Sequence, residues 1–414
     1  MAAAVQLTAL CAQSPINRRF VDCLSKVRRI RVTARIPQII RWNSTSSTHR
    51  PRTALFFPGQ GVQKVGMLEP WIEAFPKTVK PMLDEIDSIL NYPLTKIIAE
   101  GPNAKLTATE HAQPAIMAAS IIMLRVLEQD FDFKTNKRVD ITLGHSLGEF
   151  AAVVAAGNLD MRDSLRMVHK RGQVMAHCSK EACDKDGGEV GMVALVCEAG
   201  HLQELIDAIH GFLGHSSPGS KTDSNEDLPP VQQVLIANIN SKNQIVLSGS
   251  IERIKILLTH LRQFGGHDPR AVRLKADSPF HSPLMKPAAD YMRRALSNPS
   301  NSRNQDIVSW PGYMPCVSNV TARPFESRQQ LKDLLARQCV ETVRWWDSVK
   351  YLDQEWNIRR WIGVGPGKVG RNLVGKEVGM KGAVKGGGVW GITEPTEIEE
   401  VMKALDETEC VEED

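Results

Sequence analysis

Thr53-Ala54-Leu55-Phe56-Phe57 is a largely apolar run that ends abruptly at Pro58-Gly59-Gln60-Gly61. Such a run, without alternation and stopped by turn residues, predicts a short strand buried on both faces. The rhythm returns at Val139–Leu143, which enters Gly144-His145-Ser146-Leu147-Gly148 and is followed by a helical run, Phe150–Ala156. It returns again at Trp361–Val364, ahead of Gly365-Pro366-Gly367-Lys368-Val369-Gly370. Pro114 reads as the first residue of an apolar helix through Leu127, where its missing N–H costs nothing. Buried strands alternating with helices predict an α/β fold, with a parallel sheet covered on both faces.

The middle of the chain has another pattern: strand Met192–Cys197, helix His201–Phe212, strands Gln233–Asn238 and Gln244–Ser248, helix Ile251–Phe264, strand Ala271–Lys275. That β-α-β-β-α-β order predicts a ferredoxin-like small domain inserted into the larger one. The expected organisation is therefore a large parallel-sheet domain in two parts, 53–188 and 277–414, with the small domain over 189–276. The polar segment Gly214–Pro230 reads as a loop within the insert.

At 414 residues the chain exceeds the length at which a single core usually stops growing, in keeping with two folded units. Its formal charge of +4 changes meaning once divided along the chain. Residues 1–52 hold ten Lys/Arg and one acid, Asp22, so the remainder is slightly acidic and offers nucleic acid no basic surface. Within that segment Ile16, Phe20, Leu24 and Val27 share a helical face apart from the arginines, the pattern of a mitochondrial transit peptide. A basic arm for an anionic partner is the alternative. The longest largely apolar run, Ala115–Leu124, is too short to cross a bilayer, so no membrane span is expected. Eight cysteines show no C-x-x-C pair and no zinc spacing, which predicts free thiols and no metal; a Cys178–Cys183 pair is the alternative.

Gly144-x-Ser146-x-Gly148 between a strand and a helix is the nucleophile-elbow pattern in its required context. It makes the large domain α/β-hydrolase-like and puts the serine hydroxyl near a helix N-terminus, whose free N–H groups stabilise an oxyanion. Eleven histidines could supply the base such a serine needs; His145, on the far side of the turn, is poorly placed to reach it. No acid between Ser146 and His281 stands out as a triad member. On a helix from Asp160 to about His177, Arg171 falls at the edge of the face formed by Leu165, Val168, Gly172 and Met175, and a partly buried guanidinium needs an anion, either a structural carboxylate or a substrate's.

Phe57-Pro58-Gly59-Gln60-Gly61, Gly144-His145-Ser146-Leu147-Gly148-Glu149, Lys170-Arg171-Gly172, Phe280-His281-Ser282-Pro283-Leu284-Met285 and Gly365-Pro366-Gly367-Lys368 follow one another along the chain. Together they resemble the malonyl-CoA:acyl carrier protein transacylases and the acyltransferase domains of fatty-acid and polyketide synthases, over roughly Ala54 to Leu373. One departure is Val62, where the family usually carries serine. The resemblance implies that Ser146 is the nucleophile and His281 its base, with the Gln338 backbone carbonyl orienting the histidine and the N–H groups of Gln60 and Leu147 holding the oxyanion. It implies further that Arg171 clamps the malonyl carboxylate and that Phe280 stands where malonyl-selective relatives carry phenylalanine. The implied substrates are malonyl-CoA and the phosphopantetheine thiol of acyl carrier protein, with no bound cofactor and no metal. With the presequence, the implied setting is the mitochondrial matrix and its fatty-acid synthesis. A serine hydrolase, either thioesterase or esterase, is the enzymatic alternative, and a silent carrier-protein-binding module the non-enzymatic one. Gly365-x-Gly367-x-x-Gly370 also fits a dinucleotide fingerprint but lacks the acidic residue that would hold a ribose.

Overall fold

Two sheets share eight strands among the described residues, which in the computed structural model are 50–214, 228–300, 304–380 and 387–409. In chain order they are β1 (Arg52–Phe57), β2 (Ile141–Gly144), β3 (Val190–Val196), β4 (Val234–Ser241), β5 (Gln244–Ser250), β6 (Arg270–Arg273), β7 (Ile358–Val364) and β8 (Gly388–Ile392). The transit-peptide reading covers residues 1–52, of which 1–49 lie outside the described residues, as does most of the Gly214–Pro230 loop.

The large sheet is parallel throughout, in the order β2-β1-β7-β8. Its central strand explains why an uninterrupted apolar run was needed. Leu55 and Phe57 pack in the core that includes Ile116, Met123 and Val153, while Ala54 and Phe56 pack in a second core with Trp345 and Trp361 on the other face. All four are at most 2% exposed. Parallel strands with helices on both sides require apolar residues at every position.

The small sheet is antiparallel, in the order β4-β5-β3-β6, and the helices Leu202–Phe212 and Ile251–Gln263 connect it in the predicted β-α-β-β-α-β order. Here the strand period of two divides the work. Val193, Leu195, Ile245 and Leu247 pack with those helices, and Met192, Ala194 and Val246 pack with the large core. The edge strand β4 continues its hydrogen bonding beyond the small sheet: Ile239 N donates to the Val343 carbonyl at 3.0 Å and Val343 N to the Ala237 carbonyl at 2.8 Å.

Three boundaries differ from the sequence reading. The apolar helix runs Thr109–Asp130, so Pro114 lies inside it rather than at its start. Proline there leaves the Glu110 carbonyl without its helical donor, and the His169 imidazole Nδ1, 3.2 Å from that oxygen, takes the place. The helix carrying Arg171 extends well past His177, spanning Met161–Asp186, with Asp160 capping the Arg162 N–H at 2.8 Å. The segment 1–52 overlaps the folded body at its end: β1 begins at Arg52, and the Arg50 guanidinium pairs with Asp140 at 2.9 Å. Strand β8 had no counterpart in the sequence reading, because glycines at 386–388 and 391 break any strand period around Val389-Trp390.

Candidate active site

The elbow closes only because of its glycines. A Cβ on Gly144 would stand 2.0 Å from the Gly148 carbonyl, and one on Gly148 would stand 2.4 Å from the Phe57 carbonyl oxygen. Between them Ser146 adopts φ +51°, a left-handed conformation that costs a non-glycine residue about 1–3 kcal/mol. Asn319 holds it there. Its Oδ1 accepts the Ser146 N–H at 2.7 Å and its Nδ2 donates to the Gly144 carbonyl at 2.7 Å, while its own N–H donates to Glu149 Oε1 at 3.0 Å.

Ser146 Oγ lies 2.7 Å from His281 Nε2, and His281 Nδ1 lies 2.6 Å from the Gln338 carbonyl oxygen. A carbonyl can only accept, so Nδ1 carries the proton and Nε2 presents a lone pair to the serine hydroxyl. His281 is 2% exposed. Burial, reinforced by the positive charge of Arg171, lowers its pKa to about 3, so the imidazole stays neutral and ready to take a proton.

Arg171 lies deeper than its helical position suggested, at 2% exposure rather than at an edge. Its Nη1 donates to Gln113 Oε1 at 2.7 Å and its Nη2 to Gln338 Oε1 at 3.0 Å, and Nε is buried without an acceptor. No carboxylate pairs with it among the described residues, which removes the structural salt bridge as its explanation. Glu149 is one amide away from it: Gln338 Nε2 donates to Glu149 Oε2 at 2.7 Å and also to the Ser146 carbonyl at 3.2 Å. Burial pushes the Glu149 carboxyl up to about 8, against the opposing pull of Asn319, Gln338 and Arg171. Gln338 thus touches serine, histidine, arginine and glutamate at once.

Ser146 and His281 open onto a cleft of about 420 Å³ between the two sheets, with Arg171 and Gln338 buried behind them. Gln60, Ser146, Phe280 and His281 line it from the large domain's loops, and Met192, Ala194 and Val246 line it from the small sheet. The N–H groups of Gln60 and Leu147 donate to no acceptor among the described residues, consistent with a pair kept free for an oxyanion. His145 also faces the cleft, but its Nε2 bonds Asn240 Oδ1 at 2.8 Å, away from Ser146. The late glycines serve packing: a Cβ at Gly365 would strike Ser120 Oγ and Pro58, and one at Gly367 would crowd Val62. Every site residue expected from the sequence is therefore found around this cleft or directly behind it. Asn319, Gln113, Asn240 and the Gln338 side chain were missed. Gln113 would have stood out as an amide inside an apolar helix only had that helix been started before Pro114.

The acyl transferase domain family model matches residues 55–210. The malonyl CoA-acyl carrier protein transacylase of Bacillus subtilis is 33% identical over 326 residues, covering 78% of this chain and 90% of that protein. The Escherichia coli K12 enzyme of the same name is 30% identical over 316 residues, covering 76% and 89%. Among solved structures, the acyl-carrier-protein S-malonyltransferase of Bartonella henselae superposes with a TM-score of 0.69 at 29% identity, over 86% of this chain and 99% of that one. A malonyl-transacylase solved with its type II polyketide acyl-carrier protein gives 0.68 at 27% identity, over 86% and 99%. With a serine–histidine pair facing the cleft, a buried arginine without a carboxylate partner joined to it through Gln338, and relatives matched over most of their length, the chain belongs to the malonyl-CoA:acyl carrier protein transacylase family.

Proposed function

We propose that this protein transfers a malonyl group from malonyl-CoA to the phosphopantetheine thiol of an acyl carrier protein, through malonyl-Ser146. The observation that carries this reading is Arg171, a buried guanidinium without a carboxylate partner beside a serine–histidine pair. A planar fork of that kind is matched by a carboxylate, and a malonyl thioester supplies one. The relatives' printed names agree with this choice of substrate.

In the first half-reaction His281 Nε2 takes the Ser146 proton as Oγ attacks the thioester carbonyl, and the N–H groups of Gln60 and Leu147 hold the oxyanion. Collapse breaks the C–S bond and the coenzyme A thiolate leaves with the proton from His281. In the second half-reaction the carrier thiol gives its proton to His281 as the sulfur attacks the malonyl ester; collapse breaks the C–Oγ bond, and His281 returns the proton to Ser146 Oγ. The Gln338 carbonyl keeps the imidazole in the required tautomer throughout. Neither half requires metal or redox chemistry. The arginine has a second effect: a malonyl carboxylate offsets the charge that helps depress the His281 pKa, so the base strengthens when the right substrate arrives.

That coupling predicts a pH profile. Protonated His281 cannot act as a base, so activity is lost only as pH falls through its folded pKa, which lies far below 6.5. The acid limb of kcat/KM should sit well below pH 6.5 in the wild type and move up toward it in Arg171→Ala; a wild-type limb at 6.5 contradicts the buried, arginine-facing histidine. Phe280, 8% exposed in the cleft wall, sets shape rather than charge. Phe280→Ser should relax discrimination against methylmalonyl-CoA by about 1–3 kcal/mol while leaving the malonyl-to-acetyl preference intact, as competition assays will show.

The setting we propose is the mitochondrial matrix, supported by the acid-poor, arginine-rich residues 1–49. A chain starting at Arg50, which keeps the Asp140 pair, should be active in vitro yet fail to enter mitochondria; import of that truncated chain would refute the presequence. The decisive assay for the reaction itself is product partition. A transferase loads holo-carrier protein and releases little malonate, whereas a hydrolase releases malonate whether or not carrier is present.

A further inference from the structure

The loop that carries Gln60 is tied to the loop that carries His281 by a polarised chain of hydrogen bonds. Ala108, at the start of the helix Thr109–Asp130, has no side chain that can cap it. The cap comes from 168 residues away: Asp277 Oδ2 accepts the Thr109 N–H at 2.9 Å. Asp277 Oδ1 accepts the Thr109 hydroxyl and, at 3.1 Å, the Ser278 hydroxyl. The Thr109 O–H is given to Asp277, which leaves the hydroxyl oxygen as an acceptor. Gln60 Nε2 donates to that oxygen at 3.1 Å. On the other side of Gln60 the Gly61 N–H is fixed by Gln63 Oε1 at 2.8 Å. Thr109, the middle link, is fully buried, whereas Gln60 is half-buried and Asp277 is exposed.

We propose that Asp277 is a positioning residue: through Thr109 it fixes the Gln60 side chain, and with it the backbone N–H that meets the oxyanion. This rests on the transacylase reading above. Asp277 is well placed for the task. It follows β6, which ends at Arg273, and precedes Ser278-Pro279-Phe280-His281, so the exit from the small sheet, the base and the oxyanion donor are set from one carboxylate. A displacement of Gln60 by a fraction of an ångström weakens stabilisation of the transition state more than it weakens substrate binding.

A helix cap alone would explain the Asp277–Thr109 bonds, so the test separates cap from relay. Thr109→Val keeps the N–H that Asp277 caps and nearly the same volume, and removes only the hydroxyl link to Gln60. Acylation of Ser146 by malonyl-CoA, followed in single turnovers of the full chain, should slow by about tenfold or more in Thr109→Val, with KM near the wild-type value, and recover in Thr109→Ser. Asp277→Ala should slow the same step, and should add little further loss on a Gln60→Ala background. A Thr109→Val enzyme that acylates at the wild-type rate, or losses in Asp277→Ala and Gln60→Ala that multiply, overturns the proposal. A wild type that never forms malonyl-enzyme overturns the transacylase reading beneath it, a failure distinguishable because it precedes any comparison of variants.

Discussion

Ser146→Ala should form no acyl-enzyme at all and should lose at least about 10⁴-fold in turnover, the scale on which removing an enzyme nucleophile acts. Oγ, 2.7 Å from the neutral His281 Nε2, is the atom the site activates. The substitution is mild for the fold. The elbow conformation at φ +51° is held by Asn319 on the Ser146 N–H and Gln338 on the Ser146 carbonyl, and both are backbone contacts that alanine keeps. Alanine in a left-handed conformation is less favourable than serine by no more than about 1 kcal/mol, small against the stability of a domain. Intact-mass spectrometry after exposure to malonyl-CoA reads the result: a malonyl adduct persisting on the alanine variant would place the nucleophile elsewhere. His281→Ala should retain the adduct but form it about 10²- to 10⁴-fold more slowly, the range attributed to general-base assistance.

The second large effect belongs to Arg171. In the unliganded protein its guanidinium already lies buried between two neutral amides, Gln113 and Gln338, with Nε unsatisfied. On the proposed reading a malonyl carboxylate gains a charge-assisted partner in Arg171, whereas an acetyl group leaves the arginine as it was. Arg171→Ala should lower kcat/KM for malonyl-CoA by on the order of 3–5 kcal/mol, the cost of breaking a buried ion pair. That is roughly 10²- to 10³-fold, with little change for acetyl-CoA, so the preference narrows or reverses. Arg171→Lys should rescue only part of it, because an ammonium cannot make two parallel bonds in fixed geometry. An unchanged malonyl-to-acetyl ratio in Arg171→Ala would make the arginine a structural group and remove the main support for a dicarboxylic thioester as substrate.

Local patterns carried the fold a long way. The three strands of the large sheet that begin its loops are short, apolar and followed by glycine, and the small domain's two periods, 2 and 3.6, alternate cleanly enough to give its order. Serine, histidine and arginine were legible because each sits in a motif whose residues are contiguous. What escaped was made by distance in sequence. Gln113, Arg171 and Gln338 come from three separate helices or helix ends and meet only after packing, so nothing near any one of them announces the others. Asn319 stands in a loop beside β2 and works through its amide on two backbone groups of the elbow, an interaction that leaves no periodicity. The Pro114 error has the same origin. Proline at the first helical position is the usual expectation, and the Glu110 carbonyl it frees is met by His169 from a neighbouring helix, which no local rule can foresee.

Glu149 shows why the missing triad acid was not an omission. It follows the elbow directly, is fully buried, and bonds Asn319 and Gln338 rather than His281. The histidine is oriented by a carbonyl instead of a carboxylate. A neutral orienting group gives less stabilisation to the imidazolium that forms in each half-reaction, and a charged acid beside His281 would also compete with malonyl for the field of Arg171. Under the proposed reading, the negative charge next to Arg171 comes from the substrate.

The central claim, a covalent relay through Ser146 to a carrier thiol, is tested most directly by following one peptide. The enzyme is mixed with malonyl-CoA, freed of excess substrate, chased with holo-acyl carrier protein, quenched at intervals and digested. The peptide containing Ser146 should carry malonyl before the chase and lose it at the rate at which malonyl appears on the phosphopantetheine thiol. Malonyl-carrier protein forming while that peptide remains unmodified, or malonyl leaving Ser146 only as free malonate, would contradict the account.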